Sequence, residues 1–303
     1  MPTPIHTRFA PTPSGYLHVG NAFSFVLTWL LARKSGGTIH LRIDDIDGVR
    51  ARPEFVADIF DSLNWLGLDY DTGPVSVDDF YQNHSQHLRL DRYNQYLKEL
   101  EEKQLLFACT CSRKQVIENA VDGQYNEHCL PLNLPFDAPE AAMRIITPQG
   151  QSTITFTDVW NDFGPIDLYQ HLRHFVVRGK NGVAAYQLAS LVDDVDFGIN
   201  FIVRGQDLLH STAAQCFIAQ HIPALSGFIK TQFLHHPLFK NAEGEKLSKS
   251  LGATALRERR LTGETSEKFY LELSVIMGLP QCTSVKEMLE VFYGGSAPSL
   301  RMP

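Results

Sequence analysis

The sequence predicts an α/β protein built on a parallel sheet with helices on both faces. Short runs of strand composition at residues 7–10 and 38–43 alternate with helix-period segments at 22–33 and 53–66, a glycine-containing turn joins the first pair, and 303 residues at 44% hydrophobic can bury a sizeable core.

Taken in order, Thr7-Arg8-Phe9-Ala10 reads as the first strand. The segment Thr12-Pro13-Ser14-Gly15-Tyr16-Leu17-His18-Val19-Gly20-Asn21 follows it and opens the first helix, so His18 and Gly20 are expected at a strand-to-helix turn. Unpaired N–H groups and partial positive charge make such a helix start a favourable place for a phosphate. After the Ser35-Gly36-Gly37 turn, Thr38-Ile39-His40-Leu41-Arg42-Ile43 reads as the second strand, and Phe55, Ile59, Phe60 and Leu63 give residues 53–66 a helical period. A longer amphipathic helix is expected over 85–103, with Leu88, Leu90, Tyr93, Tyr96 and Leu97 toward the core. From residue 107 the texture changes to cysteines, prolines and alternating strand-like runs at 142–146 and 153–156, which suggests an insertion. The expected organisation is a catalytic domain in two halves, 1–106 and 181–250, an insertion at 107–180 and a helical segment at 251–303.

Composition narrows the function classes. A net charge of −7 argues against broad non-specific grip on nucleic acid, although a local basic surface can still bind RNA. Arg257, Arg259 and Arg260 are a candidate for such a surface, or simply a solvated helix face. No apolar run of about 18 residues is present, and Met1-Pro2-Thr3-Pro4 lacks the character of a signal peptide, so a cytoplasmic protein without membrane association is expected. Five cysteines, an odd number, make a disulfide framework a poor expectation. Cys216 and Cys282 belong to no pattern and are expected in the core.

Cys109-Thr110-Cys111 and Cys129 are different. Three thiolates suit Zn²⁺, which prefers four ligands in a tetrahedron. His128 is the first chemical choice for a fourth ligand, although its neighbour Cys129 competes for geometry; reduced, partly buried cysteines are the alternative reading. Elsewhere, Arg42-Ile43-Asp44-Asp45-Ile46-Asp47 ends the second strand with carboxylates. A second constellation runs from Tyr186-Gln187-Leu188-Ala189 through Val192-Asp193-Asp194 to Arg204-Gly205-Gln206-Asp207. Open α/β sheets place ligands at such strand ends.

Together with Lys246-Leu247-Ser248-Lys249-Ser250, the Thr12 to Asn21 segment resembles the HIGH and KMSKS signatures of class I aminoacyl-tRNA synthetases. The opening Arg8-Phe9-Ala10-Pro11, the Asp44-Asp45 strand end, and Tyr186 followed by Val192-Asp193-Asp194 and Arg204 resemble the glutamate branch of that family. Within the branch, Tyr186 to Ala189 and Arg204 to Leu209 are similar to the short paralogues that act on queuosine in tRNA(Asp); residues 251–303 are expected to be too few for an anticodon-binding region.

The resemblance implies a Rossmann-like catalytic domain with a zinc-binding insertion, and ligase activity with L-glutamate, ATP and Mg²⁺ as small partners. Glutamyl-adenylate would form first and be transferred to the queuosine of tRNA(Asp), by a monomer. It implies His18, Asn21 and Lys249 as catalytic residues, and His18, Gly20, Asn21, Lys246, Ser248 and Lys249 as the ATP site. Arg8, Ala10, Thr12, Asp44, Tyr186 and Arg204 would bind glutamate: Arg8 and Arg204 its side-chain carboxylate, Asp44 and Tyr186 its α-amino group. The family's CxC and YxxxC pattern makes Tyr125 the fourth ligand of a structural Zn²⁺ beside Cys109, Cys111 and Cys129. Four positions depart from the pattern: Asn21 stands for the second histidine of HIGH, Asp44 for glutamate, Ser190 for asparagine and His174 for aspartate. The rival expectations are a minimal ligase for tRNA(Glu) and a non-catalytic module that binds glutamate, adenylate or RNA.

Overall fold

The computed structural model describes residues 4–48, 50–238 and 255–294. The chain runs through β1 (His6–Phe9), α1 (Val19–Lys34), β2 (Thr38–Leu41), α2 (Pro53–Leu66) and the single turn α3 (Val77–Asp79). Next come α4 (Leu90–Glu102), β3 (Leu106–Cys109), α5 (Arg113–Glu118), β4 (Ala142–Ile145), β5 (Thr153–Ile154), β6 (Thr157–Asp158), β7 (Ile166–Asp167), α6 (Leu168–His171) and β8 (Val176–Arg178). The remainder holds α7 (Tyr186–Asp196), β9 (Phe201–Gly205), α8 (Leu209–His221), β10 (Gln232–His236), α9 (Leu256–Leu261), α10 (Ser266–Ile276) and α11 (Val285–Gly294). Two compact units result: Met1–Ser85 with Ile199–Gln206 and Leu234–Pro303, and Gln86–Gly198 with Asp207–Phe233. Among the described residues no helix is long and apolar enough to cross a membrane.

In the first unit β1 and β2 pair in parallel, from His6 opposite Thr38 to Phe9 opposite Leu41, as the strand–helix–strand reading requires. The crossover helix α1 is apolar almost all round, with Ala22, Phe23, Phe25, Val26, Leu27, Trp29, Leu30 and Ala32 buried. Such a helix has to lie in the core rather than on it. Its basic last turn, Arg33 and Lys34, suits the negative end of the helix dipole. The segment leading into β9 runs beside β1: Asn200 N donates to His6 O at 2.9 Å and His6 N to Asn200 Oδ1 at 2.8 Å. α2 begins with Pro53 and stops at Gly67, whose φ of 68° gives a left-handed cap.

In the second unit β3, β4 and β8 form an antiparallel sheet, Leu106 opposite Ile145 and Cys109 opposite Ala142. β5 pairs with β7, and β6 runs parallel to the Gln232–Phe233 end of β10. The helix expected over 85–103 starts as a 3₁₀ turn at Gln86–Arg89 and becomes α-helical only at Leu90. The tighter turn shifts the helical phase, and Leu88 points out at 57% exposure, while Tyr93, Tyr96 and Leu97 are buried as expected. The strand expected over 153–156 is confined to Thr153–Ile154. Cys216 and Cys282 are core residues, both buried.

Candidate active site and metal centre

His18 is the N-cap of α1, in extended backbone (φ −116°, ψ 173°). Its Nδ1 accepts from Gly20 N at 3.1 Å, and Asn21 Oδ1 accepts from His18 N at 3.1 Å, a reciprocal cap. In a neutral ring an accepting Nδ1 leaves the proton on Nε2, a donor suited to an anion. Gly20 permits this fold-back: a Cβ there would meet the His18 ring at 3.0 Å. No acidic residue occupies the first turn of α1, so no side chain of that turn competes with an anion for its positive end.

The cap rests on a floor that the sequence reading missed. Asp58, buried on the apolar face of α2, accepts from Leu17 N at 3.4 Å and from Ser62 Oγ at 3.4 Å, and pairs with Arg260 of α9. Leu256 N, also in α9, donates to Leu17 O at 2.8 Å. Desolvation pushes the Asp58 carboxyl above its ordinary range, against the pull of Arg260. A carboxylate and a serine one helical turn apart, in phase with Ile59, Leu63 and Leu66, are the signal that could have found it.

These contacts bear on both expectations for Arg257, Arg259 and Arg260, a basic surface or a solvated helix face. Arg259 Nη1 is bound to Glu264 and Glu272, each at 2.7 Å, and Arg260 is spent on Asp58 and Asp61. Arg257 lies 4.8 Å from the Tyr16 ring centroid, over the turn before His18.

Two buried arginines lie on neighbouring backbone. Arg8, on β1, is 6% exposed, and its Nη1 donates to Val203 O at 3.4 Å; the next residue on β9 is Arg204, 4% exposed. Past β2, Asp44 is 3% exposed and held bidentately by Arg42, Nε to Oδ1 at 2.6 Å and Nη2 to Oδ2 at 3.1 Å. Its backbone N donates to Pro11 O at 2.9 Å, which ties it to the Ala10 to Thr12 stretch. Ala10 is half-buried and Thr12 exposed. Tyr186 heads α7 in the second unit and is half-buried. Lys246, Ser248 and Lys249 lie outside the described residues.

In the second unit the sulfurs of Cys109, Cys111 and Cys129 lie within 4.8 Å of one another, and Cys111 and Cys129 are 3.5 Å apart. Zn–S bonds of about 2.3 Å set tetrahedral sulfurs about 3.8 Å apart, so the three thiols fit zinc. Tyr125 Oη is 3.5 Å from Cys109 Sγ and accepts from Cys129 N at 2.8 Å. His128 is exposed, and its own N donates to Asn126 Oδ1 at 3.2 Å. Burial, with the neighbouring thiols, pushes the Cys111 thiol up to about 11. Burial also raises Cys129, but hydrogen bonds from Tyr125, Thr110 and the other thiols outweigh it and bring Cys129 down to about 7. A cation among the sulfurs would favour all three thiolates.

Residues 4–289 match the model of the class I tRNA synthetases (E and Q), catalytic domain. The chain therefore belongs to the class I tRNA synthetases of the glutamate and glutamine group. It is 35% identical to the Glutamyl-Q tRNA(Asp) synthetase of Symbiobacterium thermophilum, over 94% of this chain and 91% of that protein, and 36% identical to the Glutamate–tRNA ligase of Anaeromyxobacter sp. over 86% of this chain. Against that ligase and the Glutamate–tRNA ligase 2 of Halorhodospira halophila the chain spans only 55% and 61% of their length. The glutamate-tRNA synthetase structure from Elizabethkingia anophelis superposes with a TM-score of 0.75 at 22% identity, covering 95% of this chain and 65% of that one, a likeness of fold.

Proposed function

We propose that this chain activates L-glutamate with ATP to glutamyl-adenylate and transfers the glutamyl group to the queuosine base in the anticodon loop of tRNA(Asp), in the cytoplasm. The observation that carries it is the pair of buried guanidinium groups, Arg8 and Arg204, on adjacent backbone, joined to an anion-favouring helix start at His18. Planar guanidinium groups present paired donors that match a carboxylate, and both of these are buried, where such a bond is shielded from water. The side-chain carboxylate of glutamate is assigned to them; neutral glutamine offers no charge for the guanidinium groups and binds less well, which makes the pocket selective.

Asp44, fixed by Arg42, is assigned the α-amino group; Tyr186 keeps the role the resemblance gives it. The α-carboxylate then attacks the α-phosphorus of ATP and pyrophosphate leaves. His18 and the first N–H groups of α1 meet the charge that develops on the phosphate oxygens, while Asn21 holds the cap; Lys246, Ser248 and Lys249 are assigned to the same phosphates and Mg²⁺ accompanies the nucleotide. Cys109, Cys111, Cys129 and Tyr125 would hold a structural Zn²⁺, which supplies a cross-link for the loops around it.

The choice of queuosine-bearing tRNA(Asp) over tRNA(Glu) rests on similarity to Glutamyl-Q tRNA(Asp) synthetases, from Symbiobacterium thermophilum and also Nitratidesulfovibrio vulgaris, along nearly their whole length. Glutamate-dependent exchange of labelled pyrophosphate into ATP tests the first step. Exchange with glutamate and not with glutamine is the expected result; no exchange with any amino acid would leave a binding module.

A further inference from the structure

We propose that the contact between Glu127 and His174 is a brace that holds the Tyr125–Cys129 loop in ligand geometry, making both residues positioning residues for the metal. The inference rests on the zinc reading above.

Three non-glycine residues with left-handed backbone converge on this contact: Glu127 (φ 63°), Arg173 (φ 25°) and His174 (φ 47°). Such a conformation is costly for a residue other than glycine and persists only where the surroundings over-determine it. Here they do. His174 is 2% exposed, its Nδ1 accepts from Thr147 N at 3.0 Å, and its own N donates to Thr147 Oγ1 at 3.0 Å. In the neutral ring that fixes the proton on Nε2, which faces Glu127 Oε1 at 3.3 Å.

The same anchor reaches the tyrosine on either side of its side chain. Arg173 Nη1 donates to Tyr125 O at 3.4 Å, and Arg144, whose Nη1 donates to His174 O at 2.9 Å, sits 4.2 Å from the Tyr125 ring centroid. Phe107 stacks on Tyr125 and meets His174 edge-on, with centroids at 6.2 and 5.5 Å. Loop backbone, tyrosine ring and carboxylate are thus tied to one rigid turn beside β8. Ligand sets whose supporting contacts are removed lose metal affinity by about 10- to 100-fold.

The test is zinc release from the full chain to a chromogenic chelator, with zinc content measured at the start and Co²⁺ thiolate bands as a second readout. Glu127→Ala, which removes the carboxylate at a half-exposed position that should fold, and His174→Asp, which sets two carboxylates face to face, are each expected to release zinc at least about tenfold faster than wild type. Adding Glu127→Lys to His174→Asp restores an opposite-charge pair and should slow release again. Wild-type release rates in Glu127→Ala and His174→Asp would overturn the brace alone. A wild-type chain that takes up neither zinc nor cobalt would overturn the metal reading and the brace with it.

Discussion

Arg89 closes a two-pronged ion pair on Asp193, Nε to Oδ1 and Nη2 to Oδ2, both at 2.9 Å. Tyr93 Oη and Gln86 Nε2 donate to the same carboxylate, each at 2.8 Å, and Asp193 is fully buried. The carboxylate that stands in the Val192-Asp193-Asp194 motif therefore pins the segment before α4 and α4 itself to α7, the helix that Tyr186 begins.

Asp193→Ala should cost about 3 kcal/mol of unfolding free energy, since it leaves the half-buried Arg89 without its counter-charge and takes the shared acceptor from Tyr93 and Gln86. Chemical denaturation of the two proteins measures it. A loss below about 1 kcal/mol would mean that water replaces the pair.

Arg204→Gln should lower kcat/KM for glutamate in pyrophosphate exchange by about 2–5 kcal/mol in transition-state terms, with KM for ATP little changed. If KM for ATP moves and that for glutamate does not, the guanidinium pair serves the nucleotide.

Gly20→Ala puts a methyl group against the His18 ring, at 3.0 Å, and displaces the cap. His18→Ala removes the donor itself. Exchange should fall about 10²- to 10³-fold for His18→Ala and less for Gly20→Ala, with melting temperature nearly kept in the latter. Unchanged turnover in both would take the phosphates away from this helix start.

Stability should rise with pH across the window just below the ordinary histidine value. Burial, assisted by His171 stacked at 4.3 Å, holds His210 below 6.5. In that window the unfolded chain binds the proton and the folded chain does not, so acidification draws the chain toward unfolding. His174, lowered chiefly by its burial, adds to the same window. His210→Phe keeps a ring on His171 and should flatten part of the slope in denaturation curves taken from pH 7.5 to 5.5. An unchanged slope would mean that His210 titrates alike in both states.

What could be read from the sequence was what repeats with a local period. α2 lies where Phe55, Ile59, Phe60 and Leu63 place it, and His18 at the helix start follows from its own neighbours. Leu88 failed because a 3₁₀ turn shifts the phase, which hydrophobic pattern alone does not report. The pairing of Arg259 and Arg260 with carboxylates on other elements, and Asp58 beneath Leu17, depend on long-range contacts that no window of sequence contains. The cluster of three thiols was legible in the cysteines of the sequence, and Tyr125 beside them through the family pattern; the backbone around Glu127 and His174 was not, because only the packed fold reveals a positive φ.

The most direct test of the account is transfer of labelled glutamate, with ATP and Mg²⁺, to three RNAs in parallel: tRNA(Asp) carrying queuosine, tRNA(Asp) without it, and tRNA(Glu). The account predicts label on the queuosine-bearing tRNA(Asp) alone. Label on tRNA(Glu), or on none of the three, would contradict it.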